Sequence, residues 1–283
     1  MNKIFRLFLK ILALNFFIVW ILPASAITIL GYFISFFNEK IGYSFQAFVA
    51  YTLWSILQWI FKLSTNMEVP NIPKDNYLVI SNHISAADFM LINAVNKYML
   101  AHTKYSFKRS LQFIIPIFYP WAKSSNQLVL SRNYEKDKSN IINFVKNMTK
   151  NKLPAWIVIY CEGTRFTTVK KKQADLHCAS KGIEPFRNVL CPRHRGFTML
   201  YDGLVGSHFK KVLDLTFYCE EKDFSLMNVL FSGKIFNVMC DARIVDLDTI
   251  ESPENFLMDT FRRKDDLIDE WKVNVKPKKV HNE

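Results

Sequence analysis

Two long stretches without a single charged residue, residues 11–37 and 41–61, most constrain what this chain can fold into. A helix needs about 20 apolar residues to cross the hydrocarbon core of a bilayer, so both stretches are long enough. Only residues 38–40 separate them, and so short a link favours a helical hairpin that returns the chain to the side it left. We therefore expect residues 1–62 to form a hydrophobic two-helix membrane anchor.

The charges around these stretches predict an orientation. The residues before the first stretch include three cations, Lys3, Arg6 and Lys10. Because positive flanks stay in the cytoplasm, the N-terminus and everything after the hairpin are expected there. Two alternatives stay open. The helices can lie in one leaflet with Pro23 kinking the first, or Ala24-Ser25-Ala26 can end a signal peptide, although the apolar run continues to Phe37.

The remainder, residues 63–283, is long enough for one large α/β domain and carries +8 of the net charge of +12. A basic domain behind an apolar N-terminus suits an anionic membrane surface or a phosphate-bearing substrate. The sequence has no finger, basic-zipper or RNA-binding aromatic signature, so we expect no nucleic acid partner.

The five cysteines are odd in number and lack CxxC spacing, which favours reduced thiols in a chain of this size. One alternative is a zinc site built from His177, Cys178, Cys191 and His194. Directly adjacent His and Cys are a poor start for tetrahedral coordination, so we expect no metal.

The stretch Ser81-Asn82-His83 follows the apolar run Tyr77 to Ile80, which reads as a buried strand. A histidine just past the carboxyl end of a strand stands where α/β sheets bind ligands. Asp88 follows five residues later and can reach back to the imidazole. A carboxylate on one ring nitrogen leaves the other free to accept a proton from a hydroxyl.

Three further blocks follow along the chain. Gln127 to Ser131 reads as a strand with Arg132 at its end. Trp156 to Cys161 reads as a third strand, which delivers Glu162-Gly163-Thr164-Arg165 to a loop. There Gly163 allows a tight turn and Arg165 offers a planar fork for phosphate. Val189 to Phe197 is expected to be a short strand broken by proline. Helices are expected over Asp88 to Met99 and Asn133 to Lys150.

Taken in order, the four blocks resemble the glycerolipid acyltransferase superfamily, and within it the 1-acylglycerol-3-phosphate acyltransferases of the eukaryotic lysophospholipid branch. The resemblance covers roughly residues 76–200 and extends loosely through Val212–Cys219 and Asp265–Trp271. It implies an α/β fold with a mixed central sheet flanked by helices. The domains are then the anchor, residues 1–62, and an acyltransferase domain, residues 63–283, with a C-terminal extension from about residue 200.

The resemblance also implies roles for single residues. His83 matches the catalytic base and Asp88 the acid that orients it. Pro192 matches a position linked to the acyl donor site, and Lys108 falls near a basic residue of many members. The residues that match those tied to the acceptor phosphate are Arg132, Glu162, Gly163, Thr164 and Arg165.

Three positions depart from the family pattern. Cys161 replaces the usual proline before the Glu-Gly-Thr-Arg block, and Phe89 stands where a tryptophan often follows the aspartate. Pro120-Trp121 takes the place of a Gly-Trp pair. None of these changes removes a reacting group, but the last two can reshape a substrate pocket.

The resemblance predicts an enzyme that uses acyl-CoA as co-substrate, without a cofactor, to esterify the free hydroxyl of a lysophospholipid. The expected acceptor is 1-acyl-sn-glycerol 3-phosphate. Alternatives are remodelling of lysocardiolipin, lysophosphatidylglycerol or lysophosphatidylinositol and, in another class, a non-catalytic lipid-binding protein. We expect the protein on a membrane, with its catalytic domain on the cytoplasmic side of the endoplasmic reticulum or, alternatively, on a mitochondrial membrane.

Overall fold

A computed structural model describes residues 2–108, 125–131 and 134–274 of the chain. They build a seven-stranded mixed sheet with the order β1-β7-β6-β2-β5-β3-β4, in which the β6–β7 pair is antiparallel and the other pairs are parallel. The strands are β1 (Thr65–Met67), β2 (Tyr77–Ser81), β3 (Thr103–Lys108), β4 (Leu128–Leu130), β5 (Trp156–Ile159), β6 (Lys211–Cys219) and β7 (Phe236–Asp246).

Helices cover both faces of this sheet. They are α1 (Lys3–Ser35), α2 (Glu39–Lys62), α3 (Asp88–Val95), α4 (Tyr134–Lys150), α5 (Thr168–Ala179), α6 (His194–Leu204), α7 (Leu226–Phe231) and α8 (Pro253–Asn274), with short 3₁₀ turns at Leu100–His102 and Leu247–Thr249. The expectation of a mixed α/β sheet flanked by helices is therefore confirmed.

Strand β2 is fully buried between parallel neighbours β5 and β6. Its side chains alternate between two cores: Leu78 and Ile80 face one, while Tyr77 and Val79 face the other. Both faces are covered, which explains why the sequence reads as a continuous apolar run and not as an alternating one. The carboxyl ends of β2, β5 and β6 consequently share one edge of the sheet.

Different helices cover the two cores. The first core packs the sheet against α4, α6 and α8 through buried side chains that include Met148, Phe197 and Phe261. The second packs it against α2, α3 and α7 through Ile60, Leu91 and Val229, among others. The loops at the carboxyl edge therefore stand on a sheet that is fixed from both sides.

The first two helices form the expected hairpin. Asn2 and Asn38 cap α1 and α2, each accepting a bond from a backbone N–H at 3.1 Å. The helices approach closely at two glycines. A Cβ added to Gly42 would lie 2.6 Å from the carbonyl oxygen of Gly31. Only residues without a side chain allow such contact.

The hairpin lies along the globular part and touches it at both ends. Near the start of α1, the Lys10 ammonium donates to the carbonyl oxygens of Val229 and Ser232 at 2.9 and 2.7 Å. Near the start of α2, the Tyr43 hydroxyl donates to the carbonyl oxygen of Pro154 at 2.7 Å. Since α1 and α2 run antiparallel, these contacts lie at opposite ends of the hairpin.

Many of the exposed large apolar side chains in the described residues lie on helix α1. Within the described part of the chain, it is the one helix long and apolar enough to cross a membrane. The second stretch forms a helix too, but α2 buries Ile60 and Phe61 in the second core. The exposed apolar side chains of α1 include Phe8, Leu12, Val19, Leu22 and Phe33. The boundary proposed at residue 62 stays a prediction.

The structure confirms the predicted strands at 77–80, 127–131 and 156–161 and the helix before Lys150, within a few residues at their ends. The helix expected over Asp88 to Met99 ends early, at Val95. The short strand expected at Val189 to Phe197 is wrong. That segment is irregular until α6 begins at His194, because the N–H groups of Leu190 and Arg193 bond the Glu162 carboxylate and the Cys161 carbonyl, not a strand.

A buried charge cluster attaches α8 to β6. Asp214 and Lys264 are fully buried and form an ion pair, and the Lys264 ammonium also donates to the Leu215 carbonyl oxygen at 2.5 Å. Arg263 adds a contact to Asp214 at 3.3 Å and another to Asp241 at 2.5 Å. The segment after residue 200 thus completes the sheet and one of its cores.

Candidate active site

The structure brings His83 and Asp88 together at the carboxyl end of β2. The Nδ1 atom of His83 lies 2.7 Å from an Asp88 carboxylate oxygen. Asp88 is the first residue of α3 and is buried, and its other oxygen accepts the Ser85 N–H at 2.9 Å. Burial raises the pKa of Asp88, while the bond to His83 opposes that shift. The carboxylate thus holds Nδ1 as the protonated nitrogen and leaves Nε2 able to accept a proton.

The backbone of His83 is fixed at both of its polar groups. Its N–H donates to a Glu162 carboxylate oxygen at 2.7 Å, and its carbonyl oxygen accepts the Phe166 N–H at 2.8 Å. The preceding Asn82 is buried, and its amide bonds both the N–H and the carbonyl oxygen of Phe217, at 2.9 and 2.8 Å. The imidazole is therefore positioned by β5 and β6 together.

Glu162 joins two of the sequence blocks. Its second carboxylate oxygen accepts the Leu190 N–H at 2.9 Å, so one buried side chain links the His83 loop to the segment before Pro192. Burial is the main cause that raises the pKa of Glu162 to about 8, and the two backbone N–H bonds oppose it. In this arrangement the carboxylate positions the two loops, and its predicted part in phosphate binding stays a prediction.

The loop after Glu162 and the segment packed over it carry exposed cationic side chains. Gly163 adopts φ of +68°, a conformation that favours glycine. The Arg193 side chain lies over it, with Nε 3.6 Å from where a Cβ would stand. Arg165 and Arg193 are exposed, and neither guanidinium has a hydrogen bond or ion pair within the described residues. These two cations, which have no partner in the described part of the chain, are a candidate anion site, and their role toward a substrate stays a prediction.

The remaining predicted residues have mixed outcomes. Pro192 is buried between the Glu162-bound Leu190 and Arg193, whose N–H donates to the Cys161 carbonyl oxygen at 2.7 Å. Thr164 is half-buried in the loop. Arg132 and the side chain of Lys108 lie outside the described part of the structure, as do Pro120 and Trp121. All of these roles stay predictions.

Sequence reasoning missed two side chains at this site. Arg193 directly follows Pro192, so its place in the fourth block was an available signal. The ring of Tyr160 stacks on the His83 imidazole, with centroids 4.4 Å apart and an angle of 22° between the planes. No sequence signal could have identified that contact, because it depends on the pairing of β5 with β2.

The alternative zinc set is not assembled among the described residues. The Nδ1 atom of His194 lies 2.8 Å from a carboxylate oxygen of Glu254. No group of three or more His, Cys, Asp or Glu side chains that could hold a metal occurs in the part of the chain that the structure covers.

Part of the chain matches a known protein family, and most of it matches curated relatives. Residues 64–203 match a protein-family model described as acyltransferase. A probable 1-acyl-sn-glycerol-3-phosphate acyltransferase 5 of Arabidopsis thaliana is 26% identical over 259 residues, covering 88% of this chain and 68% of the relative. The 1-acyl-sn-glycerol-3-phosphate acyltransferase gamma of Mus musculus is 28% identical over 239 residues, covering 79% of this chain and 63% of the relative.

A solved structure shares the fold. The crystal structure of the 1-acyl-sn-glycerophosphate acyltransferase PlsC from Thermotoga maritima superposes with a TM-score of 0.52 at 17% identity. The match covers 89% of this chain and 97% of that chain.

Proposed function

Because the chain belongs to the glycerolipid acyltransferase superfamily, we propose that it transfers an acyl group from acyl-CoA to the free hydroxyl of 1-acyl-sn-glycerol 3-phosphate. The product is phosphatidic acid. The names of the plant and mouse relatives support this acceptor, although each of those proteins is longer than the matched region. Acyl-CoA is the proposed donor, because a thioester is activated enough for direct attack by a hydroxyl that a general base deprotonates.

One observation carries the proposal, namely the His83–Asp88 pair at 2.7 Å beside the cationic loop at the carboxyl edge of the sheet. A thioester is already activated, so transfer to an alcohol requires two things. The hydroxyl must lose its proton as it attacks, and the charge that develops on the thioester oxygen must be stabilised. A fixed imidazole meets the first requirement.

The reaction balances without a metal or a covalent enzyme intermediate. Nε2 of His83 takes the hydroxyl proton while the hydroxyl oxygen forms a bond to the thioester carbon. The tetrahedral intermediate then expels the CoA sulfur, which receives the proton from His83. Asp88 stabilises the imidazolium between these two steps.

The acceptor phosphate has two candidate partners in the described residues. Arg165 and Arg193 are exposed and unpaired there, and Arg132 is predicted to join them. A guanidinium presents two parallel N–H groups that match phosphate geometry. Holding the phosphate fixes the distance between the free hydroxyl and His83, which is an orientation contribution in its own right.

We further propose that the hairpin attaches the protein to one leaflet of the membrane. Both ends of the hairpin bond the globular part, so α1 lies along the domain with its apolar side chains facing outward. A helix of this kind fits the interface plane better than a span perpendicular to it. The proposed location is the cytoplasmic face of the endoplasmic reticulum, with a mitochondrial membrane as the alternative.

The deciding experiment offers purified protein labelled acyl-CoA together with a panel of acceptors: 1-acyl-sn-glycerol 3-phosphate, lysocardiolipin, lysophosphatidylglycerol and lysophosphatidylinositol. Preference for the free phosphate monoester supports the proposal. Preference for a diester headgroup supports remodelling instead, and binding without turnover supports a lipid-binding protein. His83→Ala is the negative control.

Location is tested separately, by fractionation and by protease treatment of sealed microsomes. Digestion of the catalytic domain in intact vesicles supports a cytoplasmic orientation. Complete protection would show that the domain is lumenal, and recovery in mitochondrial fractions would identify the other membrane.

A further inference from the structure

The hydroxyl of Tyr160 is buried and has no hydrogen-bond partner within the described residues. Such hydroxyls are rare in native proteins, because burying one without a partner costs stability. Tyr160 directly precedes Cys161 and Glu162, and its ring stacks on the imidazole of His83 at 4.4 Å. The orphaned hydroxyl therefore belongs to the side chain that packs on the proposed base.

Tyr105, which packs in the same core, has a hydroxyl with hydrogen-bond acceptors. The hydroxyl of Tyr105 lies 3.0 Å from the Phe89 carbonyl oxygen and 2.8 Å from Oδ1 of Asn93. Both tyrosines pack with the second core. Both hydroxyls are inaccessible to solvent, but within residues 2–108, 125–131 and 134–274 only that of Tyr105 has an acceptor.

Tyr160 lies close to the proposed reacting groups. Like Ile84, Phe89 and Phe107, it packs against the second core. Burial raises the pKa of Tyr160 well above its usual value, and the nearby Asp88 charge adds to the shift. The hydroxyl therefore keeps its proton at any working pH and can serve as a hydrogen-bond donor.

We propose that the Tyr160 hydroxyl donates a hydrogen bond to the carbonyl oxygen of a bound acyl group. This inference rests on the proposed function. A single neutral donor suits the oxygen of a carbonyl, and the stacking on His83 places that carbonyl next to the reaction. Two acyl carbonyls occur in the substrates: the thioester of the donor and the ester that the acceptor already carries.

Two pairs of ligands distinguish these carbonyls without requiring turnover. For the donor, a CoA ketone analogue keeps the carbonyl and S-hexadecyl-CoA lacks it. For the acceptor, 1-acyl-sn-glycerol 3-phosphate has the ester carbonyl and the 1-O-alkyl ether analogue lacks it. Binding of all four is measured to wild type, Tyr160→Phe and the matched control Tyr105→Phe.

We expect wild type to bind the carbonyl member of one pair roughly 5- to 10-fold more tightly than its partner, as for one net hydrogen bond. Tyr160→Phe should reduce that ratio to about 1, while Tyr105→Phe should retain it. The pair that responds identifies which carbonyl is held. If Tyr160→Phe leaves both ratios at their wild-type values, or wild type prefers neither carbonyl, the inference is wrong.

Thermal stability tests independently whether the Tyr160 hydroxyl has a partner in the ligand-free protein. Tyr160→Phe keeps the ring and removes an unpaired hydroxyl, so the Tm of the ligand-free protein should rise, whereas Tyr105→Phe breaks two bonds and should lower it. A fall in Tm for Tyr160→Phe would show that the hydroxyl has a protein partner, which overturns the inference. Failure of wild type to acylate any lysophospholipid would refute the proposed function, but it would leave these binding ratios interpretable.

Discussion

The backbone N–H of His83 donates to the carboxylate of Glu162 across 2.7 Å, and this contact joins two blocks that lie 79 residues apart in the chain. It makes the position of the proposed base depend on a buried acid that need not touch substrate. The other oxygen of the same carboxylate holds Leu190, so the loops on both sides of the site share one support.

Replacing the base should stop the chemical step and leave the fold intact. His83→Ala is expected to lower kcat by ~10²–10⁴-fold, the usual contribution of general base catalysis. Asp88→Asn should also lower it strongly, because an amide cannot hold the same imidazole tautomer. Initial rates with labelled acyl-CoA provide the measurement, and His177→Ala, an exposed histidine, is the control. If His83→Ala kept more than about a tenth of the wild-type activity, His83 would not be the general base.

Removing a cation from the anion site should affect the acceptor and not the donor. Arg165→Ala and Arg193→Ala are each expected to raise the KM for the acceptor about 10-fold, since a charge-assisted bond contributes roughly 1.5–3 kcal/mol. Arg165→Lys should recover only part of the loss, because a point charge lacks the fork geometry. Lys181→Ala, beyond the other end of α5, is the control. A change confined to the KM for acyl-CoA would contradict the assignment.

The stability of the protein should fall with rising pH because of Glu162. Its pKa is about 8 in the folded protein and 4.5 ordinarily, so between these values the folded state holds a proton that the unfolded state has lost. Glu162 therefore favours the folded state most below pH 4.5, and the free energy of unfolding falls as the pH rises toward 8. The fall is at most about 1.4 kcal/mol per pH unit.

Glu162→Gln tests this pH dependence because the amide does not titrate. The variant should be less stable overall, since an amide can accept only one of the two backbone N–H bonds, but its stability should vary less with pH. Denaturant unfolding at several pH values measures the free energy of unfolding for both proteins. Parallel curves for wild type and variant would show that Glu162 has an ordinary pKa.

Mutation of the two partners of the buried ion pair between β6 and α8 should change stability by different amounts. Asp214→Asn leaves Lys264 buried without its counter-ion and is expected to cost about 3–5 kcal/mol of unfolding free energy. Lys264→Met should cost less, because Arg263 still contacts Asp214. Asp241→Asn, at a half-exposed partner of Arg263, should cost below about 1 kcal/mol and is the control. Equal costs for the two buried partners would contradict this account.

The stability of the hairpin should depend on the close approach of α1 and α2 at Gly31 and Gly42. Gly42→Leu places a side chain where a Cβ would already lie 2.6 Å from Gly31 and from Ser35. Forced separation of the helices should lower stability by about 1–3 kcal/mol, as overpacking does. Ser44→Leu adds the same bulk to an exposed position of α2 and should be neutral in detergent. Thermal unfolding compares the two variants.

The parts of the fold that the sequence predicted are those set by local pattern. The run Tyr77 to Ile80 is short, apolar and bounded by turn residues, so β2 was readable, and His83 followed from its place at the strand end. The segment at Val189 was misread as a strand because apolar residues usually signal one. Its N–H groups instead bond Glu162 and Cys161, which are distant in sequence.

Other features depend on tertiary pairing alone. The stacking of Tyr160 on His83 needs β5 beside β2, and the burial of Ile60 needs α2 laid over the second core. Composition cannot separate a membrane span from a helix with one buried face, which explains why both apolar stretches looked alike. The Asp214–Lys264 pair was invisible for the same reason, since exposed charges are the common case.

The strand order has a consequence for biosynthesis. Strand β2 gains one of its two neighbours only when β6 pairs with it. Strand β1 pairs with β7, where Phe236 lies opposite Thr65. Such distant pairings make folding slow, because the long chain between the strands loses conformational entropy before the strands gain any contact. Until the residues near Phe217 leave the ribosome, Asn82 has no clamp and the base has no fixed position. If the proposed membrane attachment holds, the hairpin, which precedes the domain in the chain, can meet the lipid surface while the domain is still unfolded and inactive.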